Sequence, residues 1–156
     1  MIPRSIRYAC TGLRSGGPSS TVIAAGKSAA AVPGVGDWFP SGSDFVAPVR
    51  RTTRLREVRL RIRTLELVDV TRVHGLPVMT VERTIADLVE AWEDRSLVAD
   101  ALDEAILRRV LLRPRRLAEL LEPLARRNDM ESGTAFAERL LLDAGAGESW
   151  LARLRG

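Results

Sequence analysis

Gly75-Leu76-Pro77-Val78-Met79-Thr80-Val81-Glu82-Arg83-Thr84-Ile85-Ala86-Asp87-Leu88 carries the chain from an extended apolar segment into an amphipathic helix within a few residues. Pro77 fixes its own φ and pushes Leu76 out of the helical region, so Leu76 to Met79 reads as extended. Thr80 is placed to cap the helix. From there Val81, Ile85, Leu88, Val89 and Trp92 recur at i, i+4, i+7, i+8 and i+11, one stripe of a helix, with Glu82, Arg83 and Glu90 largely off it. Glu82 falls in the first turn, where a carboxylate meets the positive end of the helix dipole.

Upstream of this stretch the pattern is that of strands. Asp44 to Val49 reads as one, ended by Pro48. Glu57-Val58-Arg59-Leu60-Arg61-Ile62-Arg63 alternates strictly, which points Val58, Leu60 and Ile62 to the core and Arg59, Arg61 and Arg63 outward. Thr71 to His74 and Leu76 to Met79 supply two more short strands. Downstream the pattern is helical. Ser96 reads as the cap of a second helix with Leu97, Val98, Ala101, Leu102, Ala105 and Ile106 inside. Pro114 suits the first turn of a third, carrying Leu117, Leu120, Leu121 and Leu124. Ser132 caps a fourth, with Phe136, Leu140 and Leu141 inside, which stops near Gly145. Strands first and helices later is an α+β order: a small mixed or antiparallel β-sheet followed by a bundle of about four helices.

Composition narrows the chemistry. Cys10 is the only cysteine and His74 the only histidine of 156 residues, so an intrachain disulfide and a Cys- or His-rich metal site are both excluded. No apolar run approaches the ~20 residues of a membrane span. Neither a P-loop nor a zinc-protease, serine-hydrolase or paired-CxxC motif occurs, and His74 has no visible nucleophile or second ligand. The expectation is a cytoplasmic protein that is not an enzyme and has no metal or other cofactor. The formal net charge of +4 comes almost wholly from arginine, since Lys27 is the only lysine. Arg50, Arg51, Arg54, Arg56, Arg59, Arg61 and Arg63 crowd one region relieved only by Glu57, whereas the rest of the chain mixes signs. On a strand, alternate residues stand ~7 Å apart, a spacing at which Arg59, Arg61 and Arg63 can meet successive phosphates of a nucleic acid. The competing reading is a solvated row that protects a sheet edge from aggregation.

Taken with Leu67-Val68-Asp69-Val70-Thr71-Arg72-Val73-His74, the Gly75 to Leu88 stretch resembles the "DVT-x-V-x-GLPV-T-x-x-RT-x-x-DL" block of bacterial AbiEi-family antitoxins, the transcriptional-regulator half of type IV toxin–antitoxin systems. The resemblance covers residues 36–145. It implies a domain associated with antitoxicity and with organising a regulator on operator DNA, and a functional partner that is typically a nucleotidyltransferase toxin encoded beside it. In that family a winged helix-turn-helix at the N-terminus reads the DNA; residues 1–35 here do not read as one. Within the matched block Gly75, Pro77, Thr80, Arg83, Thr84 and Asp87 either hold the strand-to-helix turn or serve the function, and Arg83 and Asp87 stand at i, i+4 on one face.

The expected organisation is therefore a disordered N-terminal arm over residues 1–35, an antitoxin-like domain over 36–145 and a tail over 146–156. The arm is rich in Ser, Gly, Ala and Pro and shows no useful period, with at best one short strand or helix around Thr21 to Ala31. Two accounts of it stay open: a native flexible arm, or residues that a wrong start or an upstream frameshift puts in place of a winged helix. Two function classes remain, an antitoxin-like transcriptional regulator with weak DNA binding, and a remnant of such a regulator that only contacts other proteins.

Overall fold

The computed structural model describes residues 21–36 and 42–156. These divide into a sheet unit, residues 21–34 and 42–80, and a helical unit, residues 35–36 and 81–156. The expected arm over 1–20, Cys10 and the segment around Trp38 lie outside the described residues.

Among the described residues the sheet unit holds five strands, β1 (Ile23–Ala24), β2 (Ser43–Ala47), β3 (Val58–Ile62), β4 (Val70–Val73) and β5 (Leu76–Met79), and an α-helix, α1 (Gly26–Ala31), after β1. Their order is β3-β2-β1-β5-β4, parallel for β2/β3 and β1/β5 and antiparallel for β1/β2 and β4/β5, so the sheet is mixed. Where at best one short strand or helix was expected around Thr21 to Ala31, both are present. The segment expected to be an arm supplies the central strand, and Val22, Ala24, Ala25, Ala29 and Val32 join Phe45, Val46, Ala47, Val78 and Met79 in the core. Small side chains make this packing close: Ser28 of α1 accepts a 2.7 Å hydrogen bond from the Asp44 amide of β2, and the Ala25 amide donates to the Asp44 carbonyl at 3.0 Å.

His74 and Gly75 are the two central residues of the β4–β5 hairpin, both with positive φ (50° and 80°), the requirement of a type I′ turn. The residues flanking such a turn, Val73 and Leu76, form its hydrogen-bonded pair. The next pair, Arg72 and Pro77, is non-hydrogen-bonded, so the amide that proline lacks is not missed by β4. In β3, Val58 and Leu60 pack against the core, but Ile62 is 64 % exposed, a correction to its inward assignment. Alternation gives Ile62 the same face as Leu60, yet it is the last residue of β3, a strand that ends the sheet order, and it pairs with Ala47, the last residue of β2. The strand expected over Asp44 to Val49 is β2, which ends at Ala47, just before Pro48.

The helical unit contains α2 (Val81–Glu90), α3 (Arg95–Leu107), α4 (Pro114–Ala125), α5 (Gly133–Asp143) and α6 (Glu148–Arg155), five helices where about four were expected. The additional one is the expected tail: Leu151 and Leu154 are buried, α6 packs on α4 and α5, and Arg155 pairs with Glu138 of α5. Val89, Leu88 and Ile85 line the inner stripe of α2, but Trp92 does not. It lies past the helix end with φ 58° and is 67 % exposed. The Trp92 and Glu93 amides bond back to the Val89 and Leu88 carbonyls, a Schellman ending that turns the chain away from the helix axis before the stripe reaches residue 92.

The α3 cap is Asp94 and not Ser96: Asp94 Oδ1 accepts from the Ser96 amide at 2.8 Å and from its hydroxyl at 2.6 Å. Hydrogen bonding to Ser96 holds the Asp94 carboxyl below its ordinary value of 3.8. Leu97, expected inside, is 38 % exposed. Pro114 does occupy the first turn of α4, and Ser132 does cap α5, its Oγ accepting from the Ala135 amide at 3.1 Å. Glu82, expected off the apolar stripe, is buried. Its Oε1 accepts from the Leu112 and Arg113 amides, at 2.8 and 2.7 Å, immediately before α4. A carboxylate from the first turn of α2 thus satisfies free amides at the start of α4, which explains how a charged group tolerates burial.

Candidate nucleic-acid interface

The seven arginines singled out in the sequence fall on one continuous piece of the sheet unit, the β2–β3 connection and β3. Arg50, Arg54 and Arg56 of the connection are exposed and Arg51 is half-buried. Arg59, Arg61 and Arg63 alternate along or just beyond β3, on the face opposite Val58 and Leu60. They are not equivalent. Arg59 is exposed, whereas Arg61 and Arg63 are half-buried and the Arg61 Nε is enclosed. Parallel register sets Arg61 beside Val46, which is fully buried, so the half-buried arginine covers sheet surface. Asp44 stands beside Arg59 in the same register and offsets part of the local charge.

Charge is divided unevenly between the units. Residues 21–34 and 42–80 carry nine basic against four acidic side chains, a net of +5; residues 35–36 and 81–156 carry twelve against fifteen, a net of −3. Lys27 of α1 and Arg72 of β4 complete the basic set of the sheet unit and were not singled out from sequence. Arg72 belongs to the other edge, four strand spacings or ~19 Å from β3, and its guanidinium bonds the Gly75 carbonyl at 3.2 Å. Strand order alone separates it from the row, and strand order is not a local property of sequence.

The Gly75 to Leu88 block is divided at residue 80. Gly75, Pro77 and Thr80 belong to the sheet unit, where the Thr80 amide donates to the Asp69 carbonyl at 2.9 Å. Arg83, Thr84 and Asp87 lie on α2. Arg83 donates to Glu90 at 3.3 Å, seven residues on, and Thr84 and Asp87 are buried. The Thr84 hydroxyl has no hydrogen-bond partner among the described residues. His74 is exposed at its turn. Glu104, one of the acidic residues of α3, accepts from the Gly36 amide at 3.0 Å and faces Arg108 at 3.9 Å. Among the described residues no group of three His, Cys, Asp or Glu side chains could hold a metal ion, and no helix is long and apolar enough to cross a membrane.

No family model matches the chain, and no curated protein matches it. Among solved structures, the chain is similar to the crystal structure of the RV2827C protein from Mycobacterium tuberculosis, with a TM-score of 0.57 and 19 % identity over 95 % of this chain. The likeness is one of fold. The chain spans only 56 % of the length of that protein.

Proposed function

We propose that this protein is an antitoxin-like transcriptional regulator of a type IV toxin–antitoxin system, whose sheet unit holds nucleic acid by its phosphates and whose functional counterpart is a nucleotidyltransferase toxin. The gathering of seven arginines on the β2–β3 connection and the edge strand β3 carries the reading. Guanidinium groups suit phosphate oxygens by their planar, multiply donating geometry. A row of such contacts positions a protein on a backbone without reading bases, so the binding is sequence-tolerant.

The burial differences choose the test. Arg50, Arg54, Arg56 and Arg59 are exposed and can be changed to glutamine together without opening the sheet, whereas Arg61 and Arg63 also cover it. Four phosphate contacts on duplex DNA correspond to a slope of roughly −3.6 in log affinity against log salt. Anisotropy titration of a labelled duplex between about 50 and 200 mM salt should give dissociation constants in the ~10⁻⁴–10⁻⁶ M range that weaken with that slope. The quadruple variant should lose both the affinity and the slope. Equal binding by the variant would remove the arginines from the interface.

The second reading, a protein-contact module without DNA binding, draws on the helical unit. Its excess of carboxylates disfavours a polyanion, while Trp92, Leu107 and Leu112 are 67 %, 71 % and 63 % exposed. Absence of DNA binding at low salt would favour it.

A further inference from the structure

The strand β3 ends the sheet order, so one of its sides pairs with no strand among the described residues. In a parallel pair the N–H and C=O of one residue point to the same side, and successive residues alternate. The Ser43 amide donates to the Glu57 carbonyl at 2.7 Å, and the Arg63 amide to the Ala47 carbonyl at 2.9 Å. Glu57, Arg59, Arg61 and Arg63 therefore turn their backbone groups to β2, and Leu60 and Ile62 turn theirs to the open side. Side chains alternate in step: Leu60 and Ile62 on one face, the three arginines on the other. Ile62 is 64 % exposed, and Val49 and Leu55 of the preceding connection are 49 % and 51 % exposed.

Edge strands are ordinarily blunted by proline, a bulge or charge. Among the described residues, pairing with β2 is one-to-one over all five residues of β3, which has no proline, so charge is the protection this strand itself carries. It is a selective one. A second copy of β3 would bring arginine against arginine, whereas a strand bearing carboxylates would find complementary partners.

We propose that the open edge of β3 accepts an extended acidic peptide as a sixth strand. Its backbone pairs with Leu60 and Ile62, its carboxylates lie beside Arg59, Arg61 and Arg63, and its alternate apolar side chains lie beside Leu60 and Ile62. The inference does not depend on nucleic-acid binding. Where both occur they compete, because they use the same guanidinium groups.

The test uses the full chain, isotopically labelled, with a synthetic peptide of alternating Glu and Val, a Lys/Val counterpart and a DNA duplex as probes. The Glu/Val peptide should slow exchange of the Leu60 and Ile62 amides by about tenfold or more, with the Arg61 amide, already committed to β2, unchanged. The Lys/Val peptide should not bind. Arg59→Glu should abolish Glu/Val binding, and so should Ile62→Pro, which removes an outward amide that β2 does not use; preserved chemical shifts across β1, β2 and β5 would show that the variants fold. Three results would overturn the proposal: no binding of the Glu/Val peptide, equal binding of the Lys/Val peptide, or binding that shifts arginine signals without protecting the two amides. The last would make the row a plain polyanion site, and the DNA duplex gives the pattern to compare.

Discussion

Replacing Glu82 tests how the helical unit is held together. The carboxylate is 2 % exposed, and its Oε1 accepts two hydrogen bonds, 2.8 and 2.7 Å, from the Leu112 and Arg113 amides ahead of α4. Glu82→Ala strands both amides, and each partly buried donor left unsatisfied costs ~1–3 kcal/mol. Water can reach the site once the side chain is cut back, which lowers the sum, so the expected loss is about 2–5 kcal/mol, within or above the upper range for loss of a helix cap. Glu82→Gln keeps an oxygen in place but makes neutral bonds about half as strong, and it also removes a buried charge; these oppose, and a loss of about 1 kcal/mol is expected. Urea unfolding followed by tryptophan fluorescence resolves the difference, since at a slope of ~2 kcal/mol per molar urea, the middle of the usual range, the alanine variant shifts the midpoint by about 1–2.5 M. A loss below ~1 kcal/mol for alanine, or a glutamine variant as unstable as the alanine one, would refute the capping account.

Four further outcomes are expected. Gly133→Ala should destabilise at the top of the ~1–3 kcal/mol range for overpacking, because an added Cβ would lie 2.1 Å from the Ala118 carbonyl oxygen and 2.6 Å from the Glu122 amide nitrogen, backbone of α4 that can yield only if the helices separate; thermal melting measures it. Arg109 holds φ 57° at the Schellman ending of α3, a position glycine fills at the end of α5, so Arg109→Gly should raise stability by about 0.5–1 kcal/mol after the entropy of the unfolded chain is counted. Thr84→Val, which removes a buried hydroxyl without a hydrogen-bond partner among the described residues, should leave the urea midpoint unchanged or higher, and a fall would reveal a bond to that hydroxyl. Asp94 has its carboxyl held below 3.8 by Ser96, so its contribution is fully present above that value and is lost as pH falls through the lower folded value; Asp94→Asn should retain a cap and flatten this part of the acid-unfolding curve.

The local grammar of the chain was legible without coordinates. Proline at 77 and the change of period at residue 80 decide strand and helix through backbone torsions and nearest neighbours, and the structure follows them, whereas His74, read as a strand end, lies in the hairpin turn. Capping chemistry at Ser132 and Pro114 acts over one turn and was equally readable. At α3 the sequence reading placed the cap at Ser96, and the folded helix has it two residues earlier at Asp94.

The features that required the tertiary structure depend on partners distant in sequence. β1 is two residues long and Ala-rich, so it has no period to detect; it is a strand because β2 and β5 stand on either side to take its hydrogen bonds. Alternation along β3 gave Ile62 its face but could not tell that β3 ends the sheet order and leaves Ile62 exposed. Glu82 looks like a surface residue of α2 by spacing, and it is buried because amides thirty residues later converge on it. The arginine cluster was visible as composition, yet its division into exposed contacts and sheet cover, and its place on an open edge, come from the parallel register of β2 and β3 and the strand order. Those are set by the packing of the whole unit, since side-chain period specifies faces and carries no information about neighbours.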